Sequence, residues 1–460
     1  MIASTTTQKF HAIIKYEDFY VQPLILSALS KKCLPESYQL VNSLSDLPAS
    51  SSLFQWLQYE SISFDTALRQ PQHHLVNAYI IRKALIRKHY LSSTISHWLA
   101  KNPSSILKHH FKQGVEFELD YAEFLDDALD EAETWELRES WNSNEDKEVE
   151  EREWWILKPG MSDRGQGIRL FSLGEELKEI FEEWEDGEND EDDEDDEDGE
   201  DEDDTAQDED GKGSRISNIL PSVEQSESRD HPTITTHLRH FVAQPYIHPP
   251  LLLPSSRNHK FHIRTYVLAV GALKIYVYKP MLALFAAAPY LPPWESQDLR
   301  IHLTNTCLQG THILEGSVRL FWDLDDFITV PHPSPSNNPK DRTEQSTTWK
   351  VDVWQQICAI TAETFEAASR VSSVHFQPLP NAFEIFGLDF LVDGSGRAWL
   401  LEVNAFPDFQ QTGEELKGIV EGLFEEVVGV AVVPFFCGGE GAKSGTERMR
   451  LVLDLDLGRR

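Results

Sequence analysis

Three polar residues stand where an apolar hairpin should carry Val or Ile. The stretch FEIFGLDFLVDGSGRAWLLEVNAFP, Phe383–Pro407, holds two apolar runs around the turn residues DGSGR, Asp393–Arg397. Asp389 interrupts the first run, and Glu402 and Asn404 interrupt the second. Side chains alternate along a strand, so Glu402 and Asn404 share one face, and a hairpin folded at DGSGR brings Asp389 beside them. Unpaired charge inside an apolar sheet is costly. Two readings meet that cost: a hard divalent cation held by two carboxylates and an amide oxygen, or simple pairing of the acids with Arg or Lys.

Cations that could serve phosphate chemistry are spread along the chain. In WWILKPGMSDRGQGIRLF, Trp154–Phe171, Lys158 ends an apolar run ahead of a loop with Gly160, Ser162, Arg164, Gly165 and Gly167. Glycines let backbone N–H groups approach a phosphate, although an ordinary hairpin with an exposed lysine has the same pattern. KFHIRTYVL, Lys260–Leu268, alternates strictly and puts Lys260, His262 and Arg264 on one face. Three such groups repel one another unless an anion or open water faces them. FVAQPYI, Phe241–Ile247, reads as a strand running into an extended segment, and HLTN, His302–Asn305, is a polar cluster without a reading of its own.

The elements that must position these groups are mixed. Leu75–Leu91 has apolar residues at helical spacing and is predicted to be a helix; Trp349–Val371 is predicted to be a long one. Trp154–Phe171 reads strand, turn, strand, and Phe261–Tyr278 reads as strands broken at Gly271. Asp126–Glu153 is acidic but interleaved with Trp and Leu, and is predicted to be partly helical. No regular βαβ rhythm appears, which argues against a dehydrogenase-type nucleotide fold.

Composition sets the remaining bounds. A chain of 460 residues has room for two or three subdomains. Its four cysteines, Cys33, Cys307, Cys358 and Cys437, show no pairing or metal spacing, which favours a reducing, cytoplasmic setting. No signal peptide or membrane span is expected; the apolar run Val427–Cys437 is too short and contains a proline. The net charge of −36 is concentrated in one block: all but three of the 20 residues from Glu185 to Asp204 are acidic. Such a block repels itself and is expected to be a disordered insertion, with an interaction with a basic partner as the other reading. Nothing calls for direct nucleic-acid binding.

Taken in order, Lys158 with its glycine-rich turn, QPYI, KFHIR, HLTNTCLQ, FGLDF and LLEVN resemble the tubulin–tyrosine ligase family of ATP-grasp ligases, from about Leu75 to Val428. The resemblance implies an α+β ATP-grasp fold: two α+β subdomains gripping ATP, plus a small N-terminal α/β subdomain. The corresponding division is 1–74 for the N-terminal subdomain and 75–240 for the central one, with the insertion at about 185–229. Residues 241–437 would form the C-terminal subdomain with the metal site, and 438–460 a tail. The family pattern implies Mg²⁺ on Asp389, Glu402 and Asn404. It places ATP against Lys88, Lys158, Lys260 and His262, with adenine at the backbone of Gln244, Pro245, Tyr246 and Ile247. Arg264 and Asn305, with Glu402, would serve the γ-phosphate and acceptor carboxylate.

The implied chemistry is amide formation through an acyl phosphate, joining a free amino acid to a protein carboxylate, with a tubulin tail as the acceptor by family. Three departures stand out. His262 replaces the family's usual Asp, Leu284 stands where an Arg is common, and Pro245 where a Lys is expected. Losing a charged hydrogen bond at Leu284 should weaken phosphate or acceptor binding by about 1.5–3 kcal/mol. The departures resemble a fungal branch associated with cytoplasmic mRNA-processing bodies, which implies mRNA-decay proteins as further partners.

Overall fold

The computed structural model describes residues 9–16, 18–47, 51–132, 134–160, 167–192, 240–304, 317–331, 343–346, 348–409, 416–438 and 445–458. Its first sheet is parallel, in the order β2-β1-β3-β4, from β1 (Phe10–Lys15), β2 (Tyr38–Leu40), β3 (Ser52–Leu57) and β4 (His74–Val76). The second sheet, in the order β5-β8-β6-β7, is antiparallel and uses β5 (Val115–Glu118), β6 (Trp155–Pro159), β7 (Arg169–Phe171) and β8 (His240–Pro245). The helix Gly174–Asp192 lays Leu177, Phe181 and Trp184 on this sheet's core, beside Phe117, Phe171 and Phe241.

The third sheet has seven strands built around β9 (His259–Val270). β10 (Lys274–Tyr278) and β11 (Leu282–Pro289) pair with its second and first halves, and β12 (Val318–Leu320) extends β11. A separate hairpin joins β13 (Ile328–Pro331) to β14 (Thr343–Ser346). β15 (Phe383–Val392) runs antiparallel along β9 and folds back into β16 (Ala398–Ala405); β17 (Met449–Asp454) closes the edge against β10.

The two faces of the third sheet explain why the cationic strand is possible. Phe261, Ile263 and Val267 of β9 join Phe386, Leu388 and Phe390 of β15 in one apolar cluster with Val353, Ile357 and Ile360 of the long helix Trp349–Val371. On the other face, Tyr266, Leu268, Phe383 and Ile385 pack with Leu423, Phe424 and Val427 of the helix Lys417–Val427. Further along that second face the apolar series gives way to Arg264, His262, Lys260 and Asp389. The apolar cover stops there, and a cleft opens.

Two expectations change. Leu75–Leu91 is not one helix. Leu75 and Val76 lie in β4, paired in parallel with Phe54 and Gln55, and helices follow at Lys83–Ile86 and Lys88–Lys101. Burial beside β3 overrides the helical spacing of the apolar residues. The acidic block is not structureless from its first residue, because the helix beginning at Gly174 continues to Asp192; residues 193–239 lie outside the described set. The segment expected to be a tail, 438–460, supplies β17.

Candidate active site

The hairpin turn is fixed by Asp393, whose Oδ1 accepts from the backbone N–H groups of Ser395 and Arg397, while Gly396 takes a positive φ of 83°. This register sets Asp389 opposite Glu402 and Gly387 opposite Asn404. Between Asp389 and Phe390 the pairing shifts by one residue, leaving Leu401 as the extra residue of a bulge. A bulge re-aims side chains. As a result the neighbours Leu401 and Glu402 both line the cleft, which strict alternation would forbid.

The cleft holds about 1030 Å³ of empty space, its open mouth included. Its apolar lining is Ile156 of β6, Ile168 just before β7, and Leu391 and Leu401 of the third sheet. Its charged lining includes Lys88, Lys158, Lys260, Asp389 and Glu402, with Lys88 and Lys158 acting on Glu402. Gln244, Pro245, Tyr246 and Ile247 form the strip where the two sheets meet. Structural placement therefore gathers groups that lie more than 300 residues apart in sequence.

Their electrostatics follow from burial. The Lys158 ammonium donates to Gln244 Oε1 at 2.8 Å, and burial lowers its pKa to about 8, opposed by the charge of Glu402. Burial, then the nearby Lys158 charge, lowers Lys260 to about 7. Burial would raise Glu402, but Lys88, the Asn404 amide and Lys158 outweigh it and hold the carboxyl at about 2. Asn404 Nδ2 donates to Glu402 Oε1 at 3.1 Å and to Asp389 Oδ2 at 3.3 Å.

Asp389 is buried, and burial pushes its carboxyl up, to about 7, against the pull of Arg264. Arg264 grips it with both ends of the fork, Nε to Oδ1 at 2.5 Å and Nη2 to Oδ2 at 2.9 Å, and the Asp389 charge raises the guanidinium in turn. Arg264 thus stands beside Asp389 rather than among the residues that line the cleft. His262 lies in the cleft wall, its Nδ1 bonded to Thr304 Oγ1 at 2.5 Å and its Nε2 3.5 Å from Asp389 Oδ1. Burial, then Arg264, depresses its pKa to about 3, so the ring is neutral near pH 7, and Nε2 has no hydrogen-bond partner among the described residues. Asn305, like Ser162, Arg164 and Gly165 of the glycine-rich loop, lies outside the described residues. Leu284 is buried, opposite His262 across the β9–β11 pairing.

Gly387 is required by this packing. A Cβ there would stand 2.9 Å from Pro407 Cβ and 3.3 Å from Arg264 Cδ. Gly387→Ala is expected to destabilise the protein by about 1–3 kcal/mol through overpacking. A denaturant melt checks this, and an unchanged midpoint would refute it.

The donor set suits a divalent cation and a nucleotide. Two carboxylates and an amide whose oxygen can turn inward are hard oxygen donors of the kind Mg²⁺ takes together with substrate phosphates. The lysines offer partners to a polyanion, and the aliphatic lining offers a flat ring a dry surface. Sequence reasoning missed Ile156, Ile168, Leu391, Leu401, Thr304 and His302; only their apolar or polar type was visible, because strand pairing, or for His302 and Thr304 the end of a short helix and the chain after it, brings them to the cleft.

Comparison with known proteins agrees with this geometry. The sequence model of the tubulin–tyrosine ligase family matches residues 66–438. A protein of Schizosaccharomyces pombe described as a probable tubulin–tyrosine ligase is 41% identical over 434 residues, 94% of each chain. The probable tubulin–tyrosine ligase PBY1 of Saccharomyces cerevisiae is 42% identical over 91% of this chain, which spans only 51% of that relative. A solved structure, the C-terminal domain of K. lactis Pby1, described as an ATP-grasp enzyme interacting with the mRNA decapping enzyme Dcp2, superposes with a TM-score of 0.65. It is 34% identical and the match covers 97% of this chain and 99% of that one. The fold is the α+β ATP-grasp fold, and the chain belongs to the tubulin–tyrosine ligase family.

Proposed function

We propose that the chain is an ATP- and Mg²⁺-dependent ligase that joins a free amino acid to a protein carboxylate through an acyl phosphate. One observation carries this reading: Lys88 and Lys158 act on Glu402, which Asn404 links to Asp389, in a cleft that Lys260 and the aliphatic Ile156, Ile168, Leu391 and Leu401 also line. Asp389, Glu402 and Asn404 would hold the metal, which when bound offsets charge on the transferring phosphoryl group. The lysines bind and orient the phosphates, and the aliphatic residues exclude water from the ring. Catalysis by these residues is positioning and electrostatics rather than covalent chemistry. The balance is one acceptor carboxylate, one amine and ATP giving one amide, ADP and phosphate.

An acceptor other than tubulin is the second reading, and a nucleotide-binding interaction module with little turnover is its limit. Leu284 favours it, since this position adds an aliphatic side chain to the packed sheet and supplies no cation. The acidic block from Glu185 also opposes an acidic tubulin tail. A cytoplasmic role beside mRNA-decay proteins would follow from the partner named for the K. lactis relative.

Purified protein incubated with Mg·ATP, labelled tyrosine or glutamate, and tubulin or cell extract tests the reading. Label in tubulin is the expected result. Label in a different protein moves the acceptor, and nucleotide binding with no incorporation anywhere would refute the ligase.

A further inference from the structure

His302 closes a hydrogen-bonded chain whose donor directions are determined by its ends. His302 Nε2 stands 2.6 Å from the carbonyl oxygen of Ser296, which only accepts, so Nε2 carries the proton. Burial holds the His302 pKa at about 4, so the ring is neutral near pH 7 and its Nδ1 is an acceptor. The Tyr246 hydroxyl, 2.9 Å away, therefore donates to Nδ1. That turns a lone pair of the Tyr246 oxygen towards the Lys260 ammonium, which donates to it at 3.0 Å. Tyr246, Lys260 and His302 are buried, and Ser296 is half-buried.

The chain also joins three parts of the fold. Tyr246 follows β8 of the second sheet, Lys260 opens β9 of the third, and His302 ends the short helix Leu299–His302. We propose that His302 is a positioning residue: through Tyr246 it fixes the ammonium of Lys260 in the cleft, ready for an anionic ligand. This rests on the nucleotide reading given above, and it adds a role for a residue that touches none of the phosphate-facing cations directly.

The consequence is a pH signature. Groups facing Lys260 are Lys158 from β6, Tyr246 and His248 beyond β8, His262 on its own strand, and His302. Tyr290 bonds His248 at 2.7 Å and is a further hydrogen-bond partner of the Tyr246 hydroxyl. Lys158 repels the Lys260 charge, whereas the Tyr246 oxygen accepts from it and favours it. Withdrawing that acceptor makes Lys260 lose its proton at lower pH. Phosphate binding then weakens most above the pH at which the wild-type lysine titrates and little below it.

The test is calorimetric titration of Mg·ADP into wild type, His302→Phe, His302→Asn, Tyr246→Phe and the double variant from pH 5.5 to 8.5. Comparing variant with wild type at each pH cancels the nucleotide's own titration. His302→Phe is expected to weaken binding about tenfold at pH 8 and little at pH 5.5. His302→Asn, whose amide oxygen stands in for Nδ1, should restore much of it. The double variant should be no weaker than Tyr246→Phe alone, because His302 acts through that hydroxyl. A penalty equal at every pH, or one that adds fully to that of Tyr246→Phe, overturns the positioning role while leaving the nucleotide reading intact. Wild-type protein that binds no Mg·ADP overturns the nucleotide reading, and the positioning role with it.

Discussion

Glu402→Gln is expected to remove Mg²⁺-dependent nucleotide turnover, by about 10²–10³-fold, without unfolding the protein. Glu402 is a carboxylate at every physiological pH, held near 2 against its burial by Lys88, the Asn404 amide and Lys158. Gln keeps the volume but removes the charge and one acceptor oxygen, and it presents an NH₂ group to the two lysines. Those cations then face the cleft without their counter-charge. If the proposed metal assignment holds, the ion would also lose one of its two carboxylate ligands, leaving only Asp389, whose oxygens already accept from Arg264.

The same substitution separates a metal site from a purely structural ion cluster. If Glu402 only balances Lys88 and Lys158, Gln should lower stability and leave the Mg²⁺ dependence of nucleotide binding as it was. If Glu402 holds the metal, titrating ADP with and without Mg²⁺ should show the wild-type gain from the metal collapse in the variant, with the thermal midpoint little changed. Equal Mg²⁺ dependence in both proteins would sink the metal assignment.

Much of this site was legible because it is local. Asp389, Glu402 and Asn404 sit in one hairpin with a readable turn, and the period-2 pattern of Lys260, His262 and Arg264 survives folding. What was hidden depends on strand register. The grip of Arg264 on Asp389, 125 positions away, arises because β9 and β15 pair at that point. The bulge at Leu401 carries no sequence signal of its own. HLTN likewise showed three polar residues around a leucine, while the hydrogen bonds of His302 to Ser296 and Tyr246 needed three dimensions. Periodicity also failed where one apolar stretch serves a strand and two helices in succession, as in Leu75–Leu91.

Arg82→Met is expected to be the most destabilising substitution away from the cleft, by about 3–5 kcal/mol, because it leaves a fully buried carboxylate without its counter-charge. Glu384 on β15 has no exposed side-chain surface, and its Oε1 lies 2.9 Å from Arg82 Nε. The contact is ionic rather than a well-aimed hydrogen bond, so the charge itself matters. The other oxygen, Oε2, accepts from the backbone N–H of Tyr79 at 3.0 Å. Arg82 also lies over the rings of Tyr59 and Phe406, at 3.8 and 5.1 Å, tying the β3 end of the first sheet to the chain just past Asn404. Burial already raises Glu384 to about 7 although Arg82 pulls it down, so removing the arginine raises it further. An acid raised on folding contributes stability that is present at low pH and lost as pH rises through its folded value. In wild type that loss ends near pH 7; in the variant it continues above. Denaturant melts should therefore show a modest penalty at pH 5 and a larger one at pH 8, and Glu384→Gln added to Arg82→Met should recover most of the difference. A penalty that does not depend on pH, or that the second substitution does not relieve, would mean that Arg82 acts by packing on Tyr59 and Phe406 alone.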